Sequence, residues 1–480
     1  GRHRRRSCCR PHQSRTRSPS AAAATASVPG KVALGLMGLF VGSSSPSAPS
    51  TSPRGGGAAA DLTTSRCLCW GQLLSAFLPG RPAACRTAPA PKAVTRSVSN
   101  VVTLPGPKKA KAAKWEADGR FEEGNLVGQN KWLGGVRGGD GVVYGIPGHA
   151  KSVLKIIPDT GEVTLMGGPF EGEFKWLRGV LGGDGAIYGI PSWADTVLKI
   201  VPSTGEVTTI GGPLPGEWKW HGGVLGPDGA IYGIPCNSEA VLKIVPSTGE
   251  VTTIGGPLVG KNKWYGGLLA ADGAIYGIPA CAEAVLKIVP HTGEVTTIGK
   301  LPSGGWKWHG GVVGRDGNVY GIPSNHDRVL KIDVSTGEVS LIGPELSGGQ
   351  HREDGKYKFL GGVLGGDGAI YGMPGDADSV LKIVPETGEV TTIGGPFLGE
   401  NKWQNGFLAS NGAIYGIPLR AETVLKIVPA TGEVTTIGGP LKGKDKWEGG
   451  VVGLDGALYC MPLRAKAVLK IAPCRPAETD

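Results

Sequence analysis

Cysteine is scarce in the long C-terminal part of this chain. The 480 residues contain nine cysteines, five before residue 100 and four after it. So few cysteines in so long a segment exclude a fold that depends on a disulfide framework. A disulfide between Cys236 and Cys281 remains an alternative, because the two residues occupy neighbouring offsets of adjacent sequence repeats.

Long hydrophobic runs are also absent. The apolar run of the N-terminal region, from Val32 to Val41, has ten residues, whereas a membrane-spanning helix needs about 20. We therefore predict no transmembrane segment. The run has instead the length of a secretory signal core.

Acidic residues are almost missing from the first hundred residues. This region holds twelve Arg and two Lys against the single acid Asp61, which accounts for more than the net charge of +10 of the whole chain. The remainder is slightly negative, so it has no basic footprint for nucleic acid, and we expect no nucleic-acid partner.

Residues 1–96 are rich in Ser, Ala, Pro and Arg. That composition is typical of an organelle transit peptide. The sequence predicts a disordered, low-complexity, targeting-like leader at 1–96. Import into a plastid-like or mitochondrial compartment, secretion, and a leader that is not native to the protein remain as alternatives.

The rest of the chain consists of a motif that occurs eight times. Its third copy runs KWHGGVLGPDGAIYGIPCNSEAVLKIVPSTGEVTTIGGPLVGKN, from Lys219 to Asn262. A period in the forties, with short apolar runs and Gly-rich turns, is typical of a β-propeller with one blade per repeat. Successive copies are 44 residues apart, except for one step of 51, and begin at Lys131, Lys175, Lys219, Lys263, Lys307, Lys358, Lys402 and Lys446.

Each repeat reads as two hairpins. Asp228-Gly229 separates two apolar runs, and Thr248-Gly249 separates the run Val241–Val245 from Glu250–Ile254. Gly after Asp or Thr supplies the positive φ that a tight hairpin turn needs. The pattern predicts four strands per blade of about 44 residues, hence an all-β, closed eight-bladed propeller.

The last repeat lacks a fourth strand. The segment from Asn100 to Gly106 has the strand-like pattern that is missing there. We expect it to supply the outer strand of the eighth blade and to close the ring, which removes an exposed sheet edge. The propeller domain is accordingly predicted to span residues 97–480.

The repeats differ from one another at three places. These are the residue before the opening Lys, the residue after the Lys-Trp or Lys-Phe pair, and the residues after Gly-Ile-Pro or its equivalent. In a propeller all three lie at one mouth of the central channel, and a uniform framework with a varied rim is typical of a binding surface. The candidate binding residues are Phe174, Trp218, His221, Tyr265, Trp306, His309, Tyr357, Gln404 and Glu448.

Two alternatives remain open at these positions. Phe174, Trp218, Trp306 and Tyr357 are either exposed aromatic platforms for a sugar or a peptide, or side chains packed against neighbouring loops. His221 and His309 are either metal ligands or general bases, or residues without such a role.

The phrase from His221 to Tyr232, followed by Val-Leu-Lys-Ile-Val-Pro-Ser-Thr-Gly-Glu-Val, resembles the blades of virginiamycin B (streptogramin) lyase-like propellers. It is also similar, more loosely, to propellers of the NHL type. The resemblance implies a metal-dependent elimination in which a His acts as base, a position that His221 and His309 match. The family's acidic residue falls at Pro235 and Pro323 here.

The composition, the repeats and the varied rim together favour a non-catalytic binding or scaffold propeller that presents one face to a protein or a glycan. This function needs no cofactor. The alternative is a metal-dependent lyase or hydrolase at the channel mouth, with a divalent ion such as Mg²⁺. We expect a monomeric propeller, alone or within a larger assembly.

Overall fold

The computed structural model describes residues 101–104, 126–349 and 354–473. The predicted leader at 1–96 and Cys474 lie outside these residues. The described residues form 32 strands and no helix. Among these residues there is accordingly no helix long and apolar enough to cross a membrane.

The strands form eight sheets of four, one for each repeat. The first strands of neighbouring blades contact one another around the whole ring, so they line its axis. These innermost strands are β2 (Trp132–Arg137), β6 (Trp176–Leu181), β10 (Trp220–Leu225), β14 (Trp264–Leu269), β18 (Trp308–Val313), β22 (Phe359–Leu364), β26 (Trp403–Leu408) and β30 (Trp447–Val452).

The second and third strands of each blade form its middle. The second strands are β3 (Val143–Pro147), β7 (Ile187–Pro191), β11 (Ile231–Pro235), β15 (Ile275–Pro279), β19 (Val319–Pro323), β23 (Ile370–Pro374), β27 (Ile414–Pro418) and β31 (Leu458–Pro462). The third strands are β4 (Val153–Ile157), β8 (Val197–Val201), β12 (Val241–Val245), β16 (Val285–Val289), β20 (Val329–Ile332), β24 (Val380–Val384), β28 (Val424–Val428) and β32 (Val468–Ile471).

The outer strands of the first seven blades pair antiparallel with the third strands. They are β5 (Glu162–Met166), β9 (Glu206–Ile210), β13 (Glu250–Ile254), β17 (Glu294–Ile298), β21 (Val339–Ile342), β25 (Glu389–Ile393) and β29 (Glu433–Ile437).

The eighth blade is completed by β1 (Val101–Leu104), which pairs with β32. The prediction that the segment after Asn100 supplies this strand and closes the ring is confirmed. Its direction differs from that of the other outer strands, because β1 runs parallel to β32, with Val101 opposite Val468. The eight-bladed, all-β architecture predicted from the repeat is confirmed as well.

Hydrophobic burial is shared between neighbouring blades. Trp176 of the second blade packs in one cluster with Val136, Tyr144 and Ile146 of the first. Burying a large aromatic side chain in this way contributes about 2–3 kcal/mol. The repeated Trp therefore packs between adjacent blades.

The Asp-Gly turns lie at the opposite end of the blades from the varied rim. In the first blade the Tyr144 hydroxyl donates to Asp140 Oδ2 at 2.7 Å, and the Val142 N–H donates to Asp140 Oδ1 at 3.1 Å. Gly141 has a φ of 80°, which a side chain rarely adopts. The seventh blade keeps the pattern with an amide, since Asn411 Nδ2 donates to the Tyr415 hydroxyl at 3.0 Å.

Cys236 and Cys281 do not form a disulfide; both are free thiols. Cys236 is buried, and burial raises the pKa of its thiol to about 12.

Candidate functional site

The three varied places of each repeat meet at one end of the propeller. The loop after the second strand folds back onto the residue before the opening Lys. The His149 N–H donates to the Asn130 carbonyl at 2.9 Å, and the Trp193 N–H donates to the Phe174 carbonyl at 3.1 Å. This end of the propeller is the rim.

The opening Lys of each repeat holds the rim together. Lys263 is 3% exposed. Its Nζ donates to the carbonyls of Cys236 and Ser238 in the preceding blade at 3.0 Å each, and to Gly260 at 2.9 Å. Sequence reasoning missed this function, because a charged side chain is almost never fully buried unless it is paired. The lysine clamp fixes the loops on which the varied residues lie.

Inside the rim, the residue after each Lys-Trp or Lys-Phe pair lies on the innermost strand at a β-bulge. The Leu133 side chain, for example, points to Gly148 in the loop after the second strand of its own blade. The two are so close that a Cβ added to Gly148 would lie 2.5 Å from Leu133 Cδ1. We call the eight equivalent residues the axial ring. They are Leu133, Leu177, His221, Tyr265, His309, Leu360, Gln404 and Glu448, and all are buried.

The next residue of each bulge has a positive φ in all eight blades. It is Gly in six blades, but Arg178 (φ 67°) and Asn405 (φ 57°) take its place in the second and seventh. A non-Gly residue in this conformation is strained, Arg more than Asn. The sequence analysis did not single out either residue, although both interrupt a column of glycines.

Arg178, on the second blade, reaches past the first blade to the eighth. Its Nη2 donates to Glu448 Oε1 at 3.0 Å, and both side chains are buried. The guanidinium lies over Gly134 and Gly449, where an added Cβ would meet Nη1 at 3.1 and 2.8 Å. Glycine at those two positions therefore leaves the path of this side chain open.

Burial governs the protonation of the ring. It raises the pKa of Glu448 to about 7, although Arg178 acts in the opposite direction. Burial lowers the pKa of His309 to about 3, and burial, with Arg178 and His309 nearby, lowers the pKa of His221 well below its usual value. Both imidazoles are therefore neutral at physiological pH, when each has one N–H donor and one acceptor nitrogen.

Several polar atoms of the ring are buried without a hydrogen-bond partner. A buried polar atom without a partner destabilises the protein by about 1–3 kcal/mol, and native structures contain few of them. The atoms are His221 Nδ1, both ring nitrogens of His309, Nε2 and Oε1 of Gln404, and Glu448 Oε2.

Aromatic side chains lie next to the ring. Phe174 is 6% exposed and contacts His149, Trp193 and Trp218, with ring centroids 4.3, 5.3 and 4.7 Å apart. Trp218 is half-buried. Phe174 therefore packs beneath the rim and supports the tryptophans, and does not form a platform of its own.

A second aromatic group forms around Tyr265. Its ring centroid is 3.7 Å from that of His221, 6.4 Å from His309 and 5.3 Å from the half-buried Trp306. The structure thus brings His221, Tyr265 and His309 together and links Trp306 to them. Tyr357 is also half-buried, and its backbone N–H donates to Asn325 Oδ1 at 2.9 Å.

The donor set does not fit a metal ion. Within residues 126–349 and 354–473, no three side chains of His, Cys, Asp or Glu are grouped so that they hold a metal. Pro235 and Pro323, which replace the acid of the lyase-like propellers, form the last residues of β11 and β19. We therefore derive no metal-dependent step.

One family model matches part of the chain. A family model described as "Repeat of unknown function (DUF6923)" matches residues 267–416. No curated protein matches the sequence.

Solved structures include propellers of similar fold. Streptogramin B lyase has a TM-score of 0.46 and 15% identity, covering 72% of this chain and 94% of that chain. A catalytically inactive virginiamycin B lyase from Staphylococcus aureus, solved with quinupristin, has a TM-score of 0.46 and 16% identity. The match covers 71% of this chain and 95% of that chain. The extracellular domain of BT4673 from B. thetaiotaomicron has a TM-score of 0.43 and 10% identity. The match covers 72% of this chain and 54% of that chain.

The resemblance to lyase-like propellers predicted from the sequence is confirmed by these matches. At such identities and TM-scores they carry no argument about activity.

Proposed function

We propose that this protein is a non-catalytic binding propeller that presents its rim and axial ring to a protein or a glycan. The observation that carries the proposal is where the repeats differ. The framework repeats its buried contacts from blade to blade, whereas the axial ring changes from Leu to His, Tyr, Gln and Glu. Varied side chains that meet at one end of a repeated scaffold are typical of a recognition surface. The proposal requires no cofactor.

The backbone of the rim supports the same proposal. The residue before the opening Lys has a positive φ in every blade, for example 51° at Trp218 and 56° at Trp306. Asn and Asp tolerate this conformation, and they occupy four of the eight positions. Bulky aromatic residues do not, so Trp218 and Trp306 have strained backbones, and such strain is typical of functional sites.

The half-buried tryptophans are the candidate anchors. Trp218 lies on Phe174 and Trp193, and Trp306 lies on Tyr265. An aromatic side chain held by neighbours loses little conformational entropy on binding, which is why such residues dominate binding energy in many interfaces.

A pull-down tests the proposal. The full chain is immobilised and incubated with an extract of the source cells, beside the variant Trp218→Ala/Trp306→Ala. The control is Thr209→Ala/Thr253→Ala, which changes two exposed residues of outer strands. Bound proteins and glycans are identified by mass spectrometry.

We expect one component to be retained by the parent and the threonine control and lost by the tryptophan variant. Equal retention by all three proteins would place binding elsewhere on the surface and contradict the proposal. Retention of nothing by any of them would contradict it as well.

A further inference from the structure

We infer that the axial ring is a binding site for a neutral polyhydroxylated ligand, a sugar or a polyol, held by His309, Gln404 and Glu448. The inference rests on the proposed binding function and adds the class of ligand. The first observation that supports it is that several buried polar atoms of the ring have no hydrogen-bond partner.

The charges of the ring exclude strongly charged ligands. Arg178 and Glu448 are paired at 3.0 Å, and His221 and His309 are neutral at physiological pH. An anion would be buried against the Glu448 carboxylate, and a cation would be buried near the Arg178 guanidinium. Burying an unpaired charge is far more costly than burying a neutral polar group.

The donors and acceptors are mixed. Gln404 Nε2 is a donor, Gln404 Oε1 is an acceptor, and Glu448 Oε2 accepts when the carboxyl is ionised. A neutral His309 offers one N–H and one acceptor nitrogen. A hydroxyl group both donates and accepts, so a ligand with several hydroxyls satisfies all of these atoms without a change in net charge.

The remaining walls are apolar. Leu133, Leu177 and Leu360 complete the ring, and Tyr265 contributes an aromatic face next to His221. Sugars present C–H groups between their hydroxyls, and these groups pack against aromatic and aliphatic side chains. Apolar walls with a few convergent polar groups are typical of small-molecule sites.

Ligand-observed NMR on the full chain tests the inference. The neutral probes are glucose, galactose, mannose, N-acetylglucosamine and myo-inositol, and the charged comparators are acetate and choline. Methyl glycosides of the same sugars represent a unit at the end of a glycan, so they distinguish a free sugar from a glycan terminus.

The variants are Gln404→Leu and, as a control outside the ring, Thr253→Ala, which changes an exposed residue of β13. We expect at least one neutral probe to bind with a Kd of about 1 mM or tighter and neither comparator to bind. Gln404→Leu should weaken that binding about tenfold, because two hydrogen-bonding atoms are lost. Thr253→Ala should leave it unchanged, and thermal unfolding of each variant reports whether it is folded.

Three results overturn the inference: no neutral probe binds, acetate or choline binds instead, or binding is the same in folded Gln404→Leu. These outcomes are separate from failure of the proposed function. A partner that depends on Trp218 and Trp306 in the pull-down, with no sugar bound, leaves the binding propeller standing without this ligand. If a sugar binds at the ring but no partner depends on Trp218 and Trp306, the inference about the ligand is supported. The proposal that the two tryptophans anchor a partner is then contradicted.

Discussion

Buried polar groups are paired at the Asp-Gly turns, whereas several of those in the axial ring are not. At the Asp-Gly turns the Tyr188 hydroxyl has its acceptor in Asp184 at 2.7 Å, and the same contact recurs between Tyr232 and Asp228. In the axial ring both polar atoms of Gln404 are buried without a partner. The turns repeat from blade to blade, whereas the ring does not.

This difference separates the framework from the site. A paired buried group contributes to stability, whereas an unpaired one reduces it. Proteins keep destabilising arrangements mainly where function requires them. The framework therefore contributes to the stability of the propeller, whereas the unpaired atoms of the ring reduce it.

The largest expected effect comes from the ion pair of the ring. Arg178→Gly places at the bulge the residue that six other blades have there, so the backbone accommodates it. It leaves the buried Glu448 without its partner, and we expect a loss of about 3–5 kcal/mol in the free energy of unfolding at pH 8, measured with urea. Adding Glu448→Gln should recover most of it. A loss below about 1 kcal/mol would show that the pair contributes little.

The second prediction concerns pH. The pKa of Glu448 is about 7 in the folded protein against an ordinary 4.5, so the folded state binds this proton more tightly than the unfolded chain. Its contribution to stability is therefore full below about pH 4.5 and is lost as the pH rises through 7.

Glu448→Gln isolates this effect, because the two histidines act in the opposite direction. Their lowered pKa values make the protein more stable as the pH rises towards 6.5. Between pH 5 and pH 8 the parent should lose on the order of 3 kcal/mol relative to Glu448→Gln. Parallel stability curves for the two proteins would contradict the assignment.

A third variant tests the framework. Lys263→Met removes the donor to three backbone carbonyls, so we expect a loss of about 2 kcal/mol in urea unfolding. The matched control is Lys261→Met, because Lys261 is exposed two residues away in the same loop. If both variants unfold at the same urea concentration, the clamp does not hold the rim.

The smallest expected effect has the opposite sign. Gln404→Leu removes two unpartnered polar atoms and introduces the residue found at Leu133, Leu177 and Leu360. We expect a gain of about 1 kcal/mol and a higher melting temperature. The reverse change, Leu360→Gln, should lower it. A melting temperature that falls in Gln404→Leu would mean that Gln404 is satisfied in the protein.

Much of the fold was predictable because it follows from regular spacing. The period, the Asp-Gly turns and the segment after Asn100 were enough to predict eight blades and their closure. Variation between repeats was enough to select the ring residues. That variation did not distinguish a half-buried Trp218 from a buried Phe174, because the two occupy equivalent positions of successive repeats.

Two features of the site needed coordinates. Arg178 lies at a bulge and reaches past the first blade to pair with Glu448, and no spacing rule connects residues 270 positions apart. The lysine clamp was missed because the repeated Lys looks like a surface charge until its carbonyl partners are known. In both cases a long-range contact, absent from any local pattern, decides what the residue does.

The central claim is that the ring, not the framework, carries recognition. A single variant tests it most directly: Arg178→Gly, His221→Leu, His309→Leu, Gln404→Leu and Glu448→Leu in the full chain. Binding of the best neutral probe is compared with that of the parent, after urea unfolding has confirmed the fold.

We predict a propeller at least as stable as the parent that no longer binds the probe. Binding that survives in this folded variant would contradict the account.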